Sequence, residues 1–208
     1  MELADCKRCA RLASFLAEVK EKHPDYFCQP VPVFGDPKAR LLILGLAPGM
    51  HGANATGRPF TGDHAGILLY QTLHKFGFAN APESLHLDDG LELLNCRITN
   101  AVKCLPPQNK PTTEEAKTCT DHYLKHELHA LPEGAVILAL GGIAHNAVLR
   151  TFGLKLSANK FGHNVLHTLD NGLFLLDSYH CSRYNTQTKR LTESMFHEVF
   201  EKAKNLLN

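Results

Sequence analysis

The stretch RLLILGLAPGMHGANATGRPFTGDHAG, residues 40–66, joins a short apolar run to a long loop that is rich in glycine. The run 40–44 has the length and β-leaning composition of a buried strand. The glycines that follow indicate tight turns or a close approach of the backbone to another group, although a long flexible loop has the same composition. The loop lacks the Gly-Lys-Ser/Thr of a Walker A loop and the Gly-x-Gly-x-x-Gly of a dinucleotide site.

Three further apolar runs, 97–102, 135–140 and 173–176, resemble the first one, and helical patterns separate the four. Strands that alternate with helices favour an α/β fold. We therefore expect three layers, with helices on both faces of a central, mostly parallel four-stranded sheet. Between residues 165 and 177, the sequence Asp170-Asn171-Gly172 predicts a hairpin with a type I′ turn.

Two of the predicted helices have clear sequence signals. Thr112 and Glu115 fit a capping box that opens a helix after Pro111. Residues 3–22 place apolar side chains on one face of an amphipathic helix. A proline-rich segment then leads to the first strand. We expect residues 1–208 to form a single domain, in which residues 1–37 are an N-terminal helix and linker.

The chain has 208 residues, of which 44% are hydrophobic and 21% charged, with a net charge of +1. This composition is that of an ordinary soluble domain. The sequence has neither a signal-peptide pattern nor an apolar run near the roughly 18 residues of a membrane span, so we expect a cytoplasmic protein. The net charge neither indicates nor excludes a nucleic-acid partner, and basic residues cluster modestly in 103–110 and 183–190.

Four of the seven cysteines have the spacing of a metal site. Cys6 and Cys9 form a C-x2-C pair, and Cys104 and Cys119 form a wider C-x14-C pair. Disulfides are not expected in a cytosolic chain, and four thiolates can hold either a [4Fe–4S] cluster or zinc. The spacing alone does not decide between these metals. Cys104 and Cys119 also fit buried core positions, as do the three remaining cysteines: Cys28, Cys96 and Cys181.

In an open α/β sheet, ligands bind at the carboxyl ends of the strands. The loops expected there span residues 45–66, 103–111, 141–142 and 178–190. Three of the four are rich in polar residues and glycine. We expect any active site to be built from them.

Three segments of these loops resemble the iron–sulfur uracil-DNA glycosylases, and most closely their family 5 (type b) branch. The segments are Gly45-Leu46-Ala47-Pro48-Gly49, Thr56–Asp63 and His180-Cys181-Ser182-Arg183-Tyr184-Asn185. The related family 4 has glutamate where this chain has Leu46. The cysteine pattern matches as well. The resemblance therefore implies a [4Fe–4S] cluster on Cys6, Cys9, Cys104 and Cys119, and a DNA partner that contains uracil or another deaminated base.

The resemblance also implies roles for individual residues. Gly45 and Ala47 would line the base pocket, and Phe60 would stack on a flipped base. Asn100 would hydrogen-bond the edge of the base, because an amide offers both a donor and an acceptor. His180 would act catalytically by stabilising negative charge on the departing base.

The second catalytic residue is less clear from the sequence. Related branches carry a polar residue at the position of Ala47, so Asp63 is the nearest matched carboxylate that could stabilise a cationic sugar or orient water. Asp63 also fits an ordinary helix N-cap, and both roles can hold together. Arg183 and Tyr184 are candidates for a wedge into the DNA stack. Cys181 replaces the proline that is usual in this motif, which predicts a looser loop.

The implied activity is hydrolysis of the N-glycosidic bond of uracil in DNA by a monomer, with turnover and an abasic product. Family 5 enzymes tend to be broad, so hypoxanthine and xanthine are further expected substrates. One alternative is a module that binds damaged DNA without cutting it, which Ala47 favours. A cytosolic iron–sulfur electron carrier is another, although it would leave the glycine loop unexplained.

Overall fold

The computed structural model describes residues 2–208, and within them a single sheet has the strand order β1-β3-β2-β4-β6-β5. The strands are β1 (Phe34–Gly35), β2 (Leu41–Gly45), β3 (Cys96–Asn100), β4 (Val136–Leu140), β5 (Leu166–Thr168) and β6 (Phe174–Ser178). The helices are α1 (Ala10–Lys22), α2 (Ala53–Thr56), α3 (His64–Phe76), α4 (Thr113–Cys119), α5 (Lys125–His129), α6 (Gly142–Thr151), α7 (Arg183–Gln187) and α8 (Glu193–Leu207).

The four central strands β3, β2, β4 and β6 are parallel, as predicted from the four apolar runs. The structure adds an antiparallel strand at each edge, so the sheet has six strands instead of four. Strand β1 is only two residues long and lies in the proline-rich linker, where no periodic pattern marks it. Strand β5 completes the predicted hairpin.

The turn of that hairpin differs from the prediction. A type I′ turn needs positive φ at both central residues. Neither Asp170 nor Asn171 has a positive φ, whereas Gly172 does, at 78°. The Gly172 N–H donates to the carbonyl of Leu169 at 3.0 Å. The predicted type I′ turn is therefore wrong, and the chain makes a type I turn followed by a left-handed glycine.

Helices cover both faces of the sheet, which confirms the three layers. Successive residues of β2 point to opposite faces, and all five are buried. Leu41 and Ile43 pack in one core with α3 and α8, while Leu42 and Leu44 pack in the other with α6 and the α4–α5 region. Burial on both faces explains why the parallel strands are continuous apolar runs in the sequence.

The predicted N-terminal helix is shorter than expected. A 3₁₀ turn covers Leu3–Asp5, an extended segment carries Cys6 and Cys9, and α1 begins only at Ala10. Cys9 is the extended N-cap of α1 (φ −104°, ψ 95°), so the helical pattern is interrupted where the two cysteines turn towards the domain. Beyond that point α1 buries its predicted apolar face.

The predicted capping box at α4 is confirmed, because the side chains of Thr112 and Glu115 each accept from the other's backbone N–H. A π-helical turn, Thr120–Leu124, joins α4 to α5. No helix within residues 2–208 is both long enough and apolar enough to cross a membrane.

Candidate active site

A cleft of about 340 Å³ lies at the carboxyl edge of the four parallel strands. All four predicted loops contribute to its walls, through Leu46, Asp63, Asn109, Gly141 and Ser182 among others. The four loops therefore meet at one cleft, as expected from the sequence. They meet because parallel strands end at the same edge of a sheet.

Gly45 lets two larger side chains meet in this cleft. A Cβ atom at Gly45 would lie 2.4 Å from Oδ1 of Asn100 and 2.8 Å from Cζ of Phe60. Phe60 has a φ of 56°, which is rare for a residue with a side chain. Helix α3 packs directly on the Phe60 carbonyl, since a Cβ at Gly66 would lie only 1.8 Å from that oxygen. Phe60 and Asn100 are thus held against each other at the end of β2 and β3.

His180 lies opposite these residues in the loop after β6. Its ring is stacked with that of Phe60, with centroids 5.9 Å apart and planes inclined by 28°. Its Nδ1 atom is buried without a hydrogen-bond partner among the described residues. Burial lowers the pKa of His180 to about 4, so the imidazole is neutral at physiological pH. A neutral imidazole retains one N–H donor.

The loop that carries His180 is tightly held. The amide of Asn185 donates to the carbonyl of His180 at 2.8 Å, and Ser182 caps α7 through the backbone N–H of Asn185. Cys181 is fully buried in the core below α3 and α8. The prediction that Cys181 loosens the loop is therefore wrong, because burial and hydrogen bonds restrain the backbone where a proline would otherwise do so.

Asp63 is both a helix cap and a cleft residue. Its Oδ1 atom accepts from the Gly66 N–H at 3.0 Å, so the predicted N-cap of α3 is confirmed. Its Oδ2 atom lies against the 49–52 turn, where a Cβ at Gly52 would approach it to 2.6 Å. Burial raises the pKa of Asp63, although hydrogen bonds from the N–H groups of Gly66 and Ala65 oppose the rise. One oxygen therefore orders the helix while the other belongs to the cleft.

The remaining predicted residues lie at the floor and rim of the cleft. Ala47 is in its lining and brings no polar atom beyond its backbone. Arg183 and Tyr184 begin α7 at the rim, and Tyr184 is 71% exposed. An aromatic side chain so exposed beside the cleft is available for contact with a partner.

The four predicted cysteines lie together on the other side of Ala47. Cys6, Cys9, Cys104 and Cys119 line a small cavity with apolar neighbours that include Leu12. Burial raises the pKa of Cys104 to about 12 and that of Cys119 to about 11. Among residues 2–208, no three of these sulfur atoms lie within 4.8 Å of one another.

An ion pair between the exposed Arg11 and the buried Glu115 joins the segments that carry the two cysteine pairs. Arg11 of α1 donates to both carboxylate oxygens of Glu115, from Nε at 2.8 Å and from Nη2 at 2.6 Å. Glu115 is also the capping-box residue of α4, so a single carboxylate fixes the start of α4 and docks α1 upon it. The pairing of Cys6 and Cys9 with Cys104 and Cys119 follows from this contact.

Lys103 belongs to the basic cluster 103–110, but it is not an exposed contact for nucleic acid. It is 1% exposed, and its Nζ atom lies 2.8 Å from both carboxylate oxygens of Glu127 and also contacts Thr99. A lysine buried in this way supports the β3 loop from below. It is not available to a phosphate.

Comparison with protein families shows to which family this chain belongs. A model described as the uracil DNA glycosylase superfamily matches residues 32–204, which include every cleft residue described above.

The chain belongs to the uracil DNA glycosylase superfamily.

Relatives of this superfamily match nearly the whole chain. A type-5 uracil-DNA glycosylase of Thermus thermophilus is 50% identical and covers 98% of this chain and 94% of its own. A type-4 uracil-DNA glycosylase of Archaeoglobus fulgidus is 32% identical over 74% of this chain and 63% of its own. The higher identity to the type-5 protein agrees with the branch predicted from Leu46. A crystal structure of SMUG2 from Pedobacter heparinus is 15% identical and covers 82% of this chain and 75% of that chain, with a TM-score of 0.46.

Some residues that line or support the cleft of this superfamily member were not singled out in its sequence, although two of them lie in loops expected there. Asn109 reaches the lining from a turn with a φ of 57°, and Gly141 does so with a φ of 99°. Arg58, inside a recognised motif, is buried and paired with Asp89. The glycine pair 141–142 was visible as a loop signal. The reach of Asn109 and the Arg58 pair depend on contacts distant in sequence, which no local pattern reveals.

Proposed function

We propose that this protein hydrolyses the N-glycosidic bond of uracil in DNA, releases the free base and leaves an abasic site. One observation carries the proposal: Phe60, Asn100, His180 and Asp63 surround a single cleft at the carboxyl edge of the sheet. The type-5 and type-4 relatives are named for this activity. The cleft, of about 340 Å³, has room for a base but not for a duplex, so the target nucleotide must leave the stack.

Base recognition divides between Phe60 and Asn100. The Phe60 ring offers a face on which a flipped base stacks, and its fixed backbone leaves little entropy to lose on binding. The Asn100 amide offers a donor and an acceptor, which pair with the carbonyl and N–H on the edge of uracil. Both side chains depend on Gly45, because any larger residue there would separate them. Arg183 and Tyr184 would fill the space that the nucleotide leaves in the duplex.

Bond breaking leaves negative charge on the base and positive charge on the sugar. A neutral His180 donates a hydrogen bond to the uracil O2 as the electron pair of the C1′–N1 bond moves onto the base. The Asp63 carboxylate stabilises the cationic sugar and orients a water whose oxygen bonds to C1′. One proton of that water leaves and the released uracil gains one, so the products are the free base and the abasic sugar.

We propose that Cys6, Cys9, Cys104 and Cys119 hold a [4Fe–4S] cluster. Sulfurs around a tetrahedral zinc with bonds of about 2.3 Å lie about 3.8 Å apart. The wider separation of these sulfurs favours a larger group. When bound, the cluster supplies a rigid link between the segment before α1 and the loop after β3. Visible charge-transfer absorbance and iron content are expected, and purified protein with zinc but no iron would contradict this assignment.

The activity is tested on duplexes that carry one uracil, with hypoxanthine and xanthine duplexes in parallel. We expect free uracil and an alkali-labile abasic site at more than one turnover per protein molecule. No abasic product from iron-loaded protein, on any of these duplexes, would overturn the proposal.

A second candidate function is supported by Ala47, which places no polar side chain at the floor of the cleft. The protein would then bind uracil-containing DNA without cutting it. Tight and selective binding of a uracil duplex without an abasic product would identify this function. In either case we propose that residues 1–208 act as one domain and that one chain acts alone, since a single chain supplies every residue of the cleft.

A further inference from the structure

A loop between α3 and β3, residues 77–95, is fastened to the cleft. Arg58, only 3% exposed, donates from Nη1 to both carboxylate oxygens of Asp89, at 2.8 and 3.0 Å. Its Nη2 atom donates to the carbonyl of Leu87 at 2.6 Å. Arg58 is two residues before Phe60. A buried guanidinium that donates to the Asp89 carboxylate and to the Leu87 carbonyl therefore fixes the tip of this loop relative to Phe60.

The tip is also ordered internally. The Asp89 carboxylate accepts from the backbone N–H groups of Leu85 at 2.8 Å and of His86 at 3.2 Å. Ser84 shares a hydrogen bond of 2.6 Å with Thr61 of the cleft loop. These contacts hold the backbone while the side chain of Leu85 stays 64% exposed. A rigid loop thus presents an apolar side chain to solvent beside the cleft.

A second cavity, of about 490 Å³, lies between this tip and α7. Leu85 and Ile67 give it apolar walls, and Ile67 is 57% exposed. Arg183 of α7 also lines the cavity. Phe60 and Asp63 belong to both cavities and form the partition between them. The second cavity therefore lies next to the proposed base pocket, on the other side of Phe60 and Asp63.

We propose that the second cavity binds the base of the nucleotide next to the flipped one on the same DNA strand. This inference rests on the proposed function. One phosphodiester ties that neighbour to the flipped nucleotide, so it must lie close to the shared partition. Leucine and isoleucine are among the apolar side chains that proteins place against bases when they open the stack. Gln71, also in the lining, offers an amide to the polar edge of the base.

Charge determines how the nucleotide is oriented. Arg183 is the basic residue of the lining, and in a single-stranded substrate, which has no duplex stack to fill, it suits a backbone phosphate. Glu83 lies at the opposite, loop side and repels a phosphate. The base therefore faces Leu85 while the backbone passes Arg183.

The test uses single-stranded oligonucleotides that contain one uracil, with the base of either the 5′ or the 3′ neighbour removed as a tetrahydrofuran. For the wild type, we expect one of the two modified substrates to lose about 5- to 20-fold in kcat/KM, which corresponds to the loss of one base contact. Leu85→Ser should show the same loss on the full substrate and no further loss on that modified one, because the two changes remove the same contact.

Leu87→Ser is the matched control, since Leu87 lies on the same tip and is 52% exposed but does not line the cavity. Equal effects of Leu85→Ser and Leu87→Ser would overturn the inference, and so would losses that multiply when Leu85→Ser acts on the modified substrate. If the wild type releases no uracil, the proposed function fails, and the same comparison by fluorescence anisotropy of binding still decides whether the cavity holds the neighbouring base.

Discussion

The molecule contains two groups of histidine and aspartate whose surroundings are opposite. In the core, His145 Nδ1 lies 2.8 Å from Asp177 Oδ1, and His145 Nε2 lies 2.8 Å from the carbonyl of Asn159. His167 approaches the other oxygen of Asp177 at 3.4 Å. In the cleft, Asp63 and His180 do not pair with each other, and Nδ1 of His180 has no partner within residues 2–208.

The pKa values of the two histidines are consequently shifted in opposite directions. Burial acts to lower the pKa of His145, but its hydrogen bonds to Asp177 and the Asn159 carbonyl outweigh burial, and the pKa is raised. Two acceptors facing both ring nitrogens require an imidazolium. For His180, burial acts unopposed and lowers the pKa to about 4.

The difference separates a histidine–aspartate pair that holds the fold together, the structural pair, from one that is proposed to act on a substrate, the chemical pair. His145, His167 and Asp177 have atoms within 4.8 Å of one another and the composition of a metal site. Their hydrogen bonds are satisfied among themselves and with the backbone, so they bind β5, β6 and α6 together. Asp63 and His180 both line a cleft and do not pair with each other, and in the proposed function they act on a substrate.

The largest expected effect is on catalysis by Asp63→Asn. Asparagine is also a good N-cap, so α3 and the melting temperature should be preserved. Loss of the carboxylate should lower kcat for uracil release by about 10²- to 10⁴-fold. Single-turnover kinetics with circular dichroism melting would check both effects. An unchanged kcat would remove Asp63 from the mechanism.

In the core pair, Asp177→Asn should lower the stability of the protein and largely preserve its activity. Removing one partner of a buried ion pair leaves an uncompensated charge, which typically costs about 3–5 kcal/mol in the free energy of unfolding. Urea unfolding would measure it. Activity per folded molecule should change far less than in Asp63→Asn. Normal stability with lost activity would show that the pair belongs to the catalytic site.

A change at Gly52 should damage the cleft pair without touching either member. A Cβ at Gly52 would lie 2.6 Å from Oδ2 of Asp63, whereas one at Gly49 would lie at 3.6 Å, an ordinary contact. Displacing a reacting group by about 1 Å costs on the order of 10²-fold in rate. Gly52→Ala should therefore lose about that factor in kcat, and Gly49→Ala much less. Equal losses in the two variants would contradict this position of the carboxylate.

The sequence predicted the cleft residues but not the buried pairs in the core. The four parallel strands, the cleft loops and Asp63 and His180 follow from apolar runs and local motifs. His145 and Asp177 are separated by 32 residues, and Arg58 and Asp89 by 31. Such pairs depend on the register of strands and helices, which local patterns do not specify. The extended segment at Cys6 and Cys9 was missed for a similar reason, because it turns towards cysteines about a hundred residues away.

The smallest expected effect is the pH dependence of activity. In the proposed mechanism the carboxylate of Asp63 is ionised, and its pKa is raised, so kcat/KM should fall as the pH drops through that raised value. The expected slope is about tenfold per pH unit on the acid side. In Asp63→Asn the residual rate should lack this limb. A wild-type profile that stays flat down to the pKa of an ordinary aspartate would contradict the burial of Asp63.

Stability should depend on pH with opposite signs for the two histidines. Because the folded pKa of His145 is raised, its contribution is complete below the unfolded value of about 6.5 and is lost as the pH rises through the folded pKa. The lowered pKa of His180 instead destabilises the fold as the pH falls from about 6.5 towards about 4.

The most direct test of this difference is ¹⁵N NMR of the histidine side chains at pH 7. We predict that both ring nitrogens of His145 carry protons, and that His180 is a neutral imidazole with one protonated nitrogen. Asp177→Asn should convert the His145 signals to those of a neutral ring and leave the His180 signals unchanged. A neutral His145 or a charged His180 at pH 7 would contradict the division of the molecule into a structural pair and a chemical one.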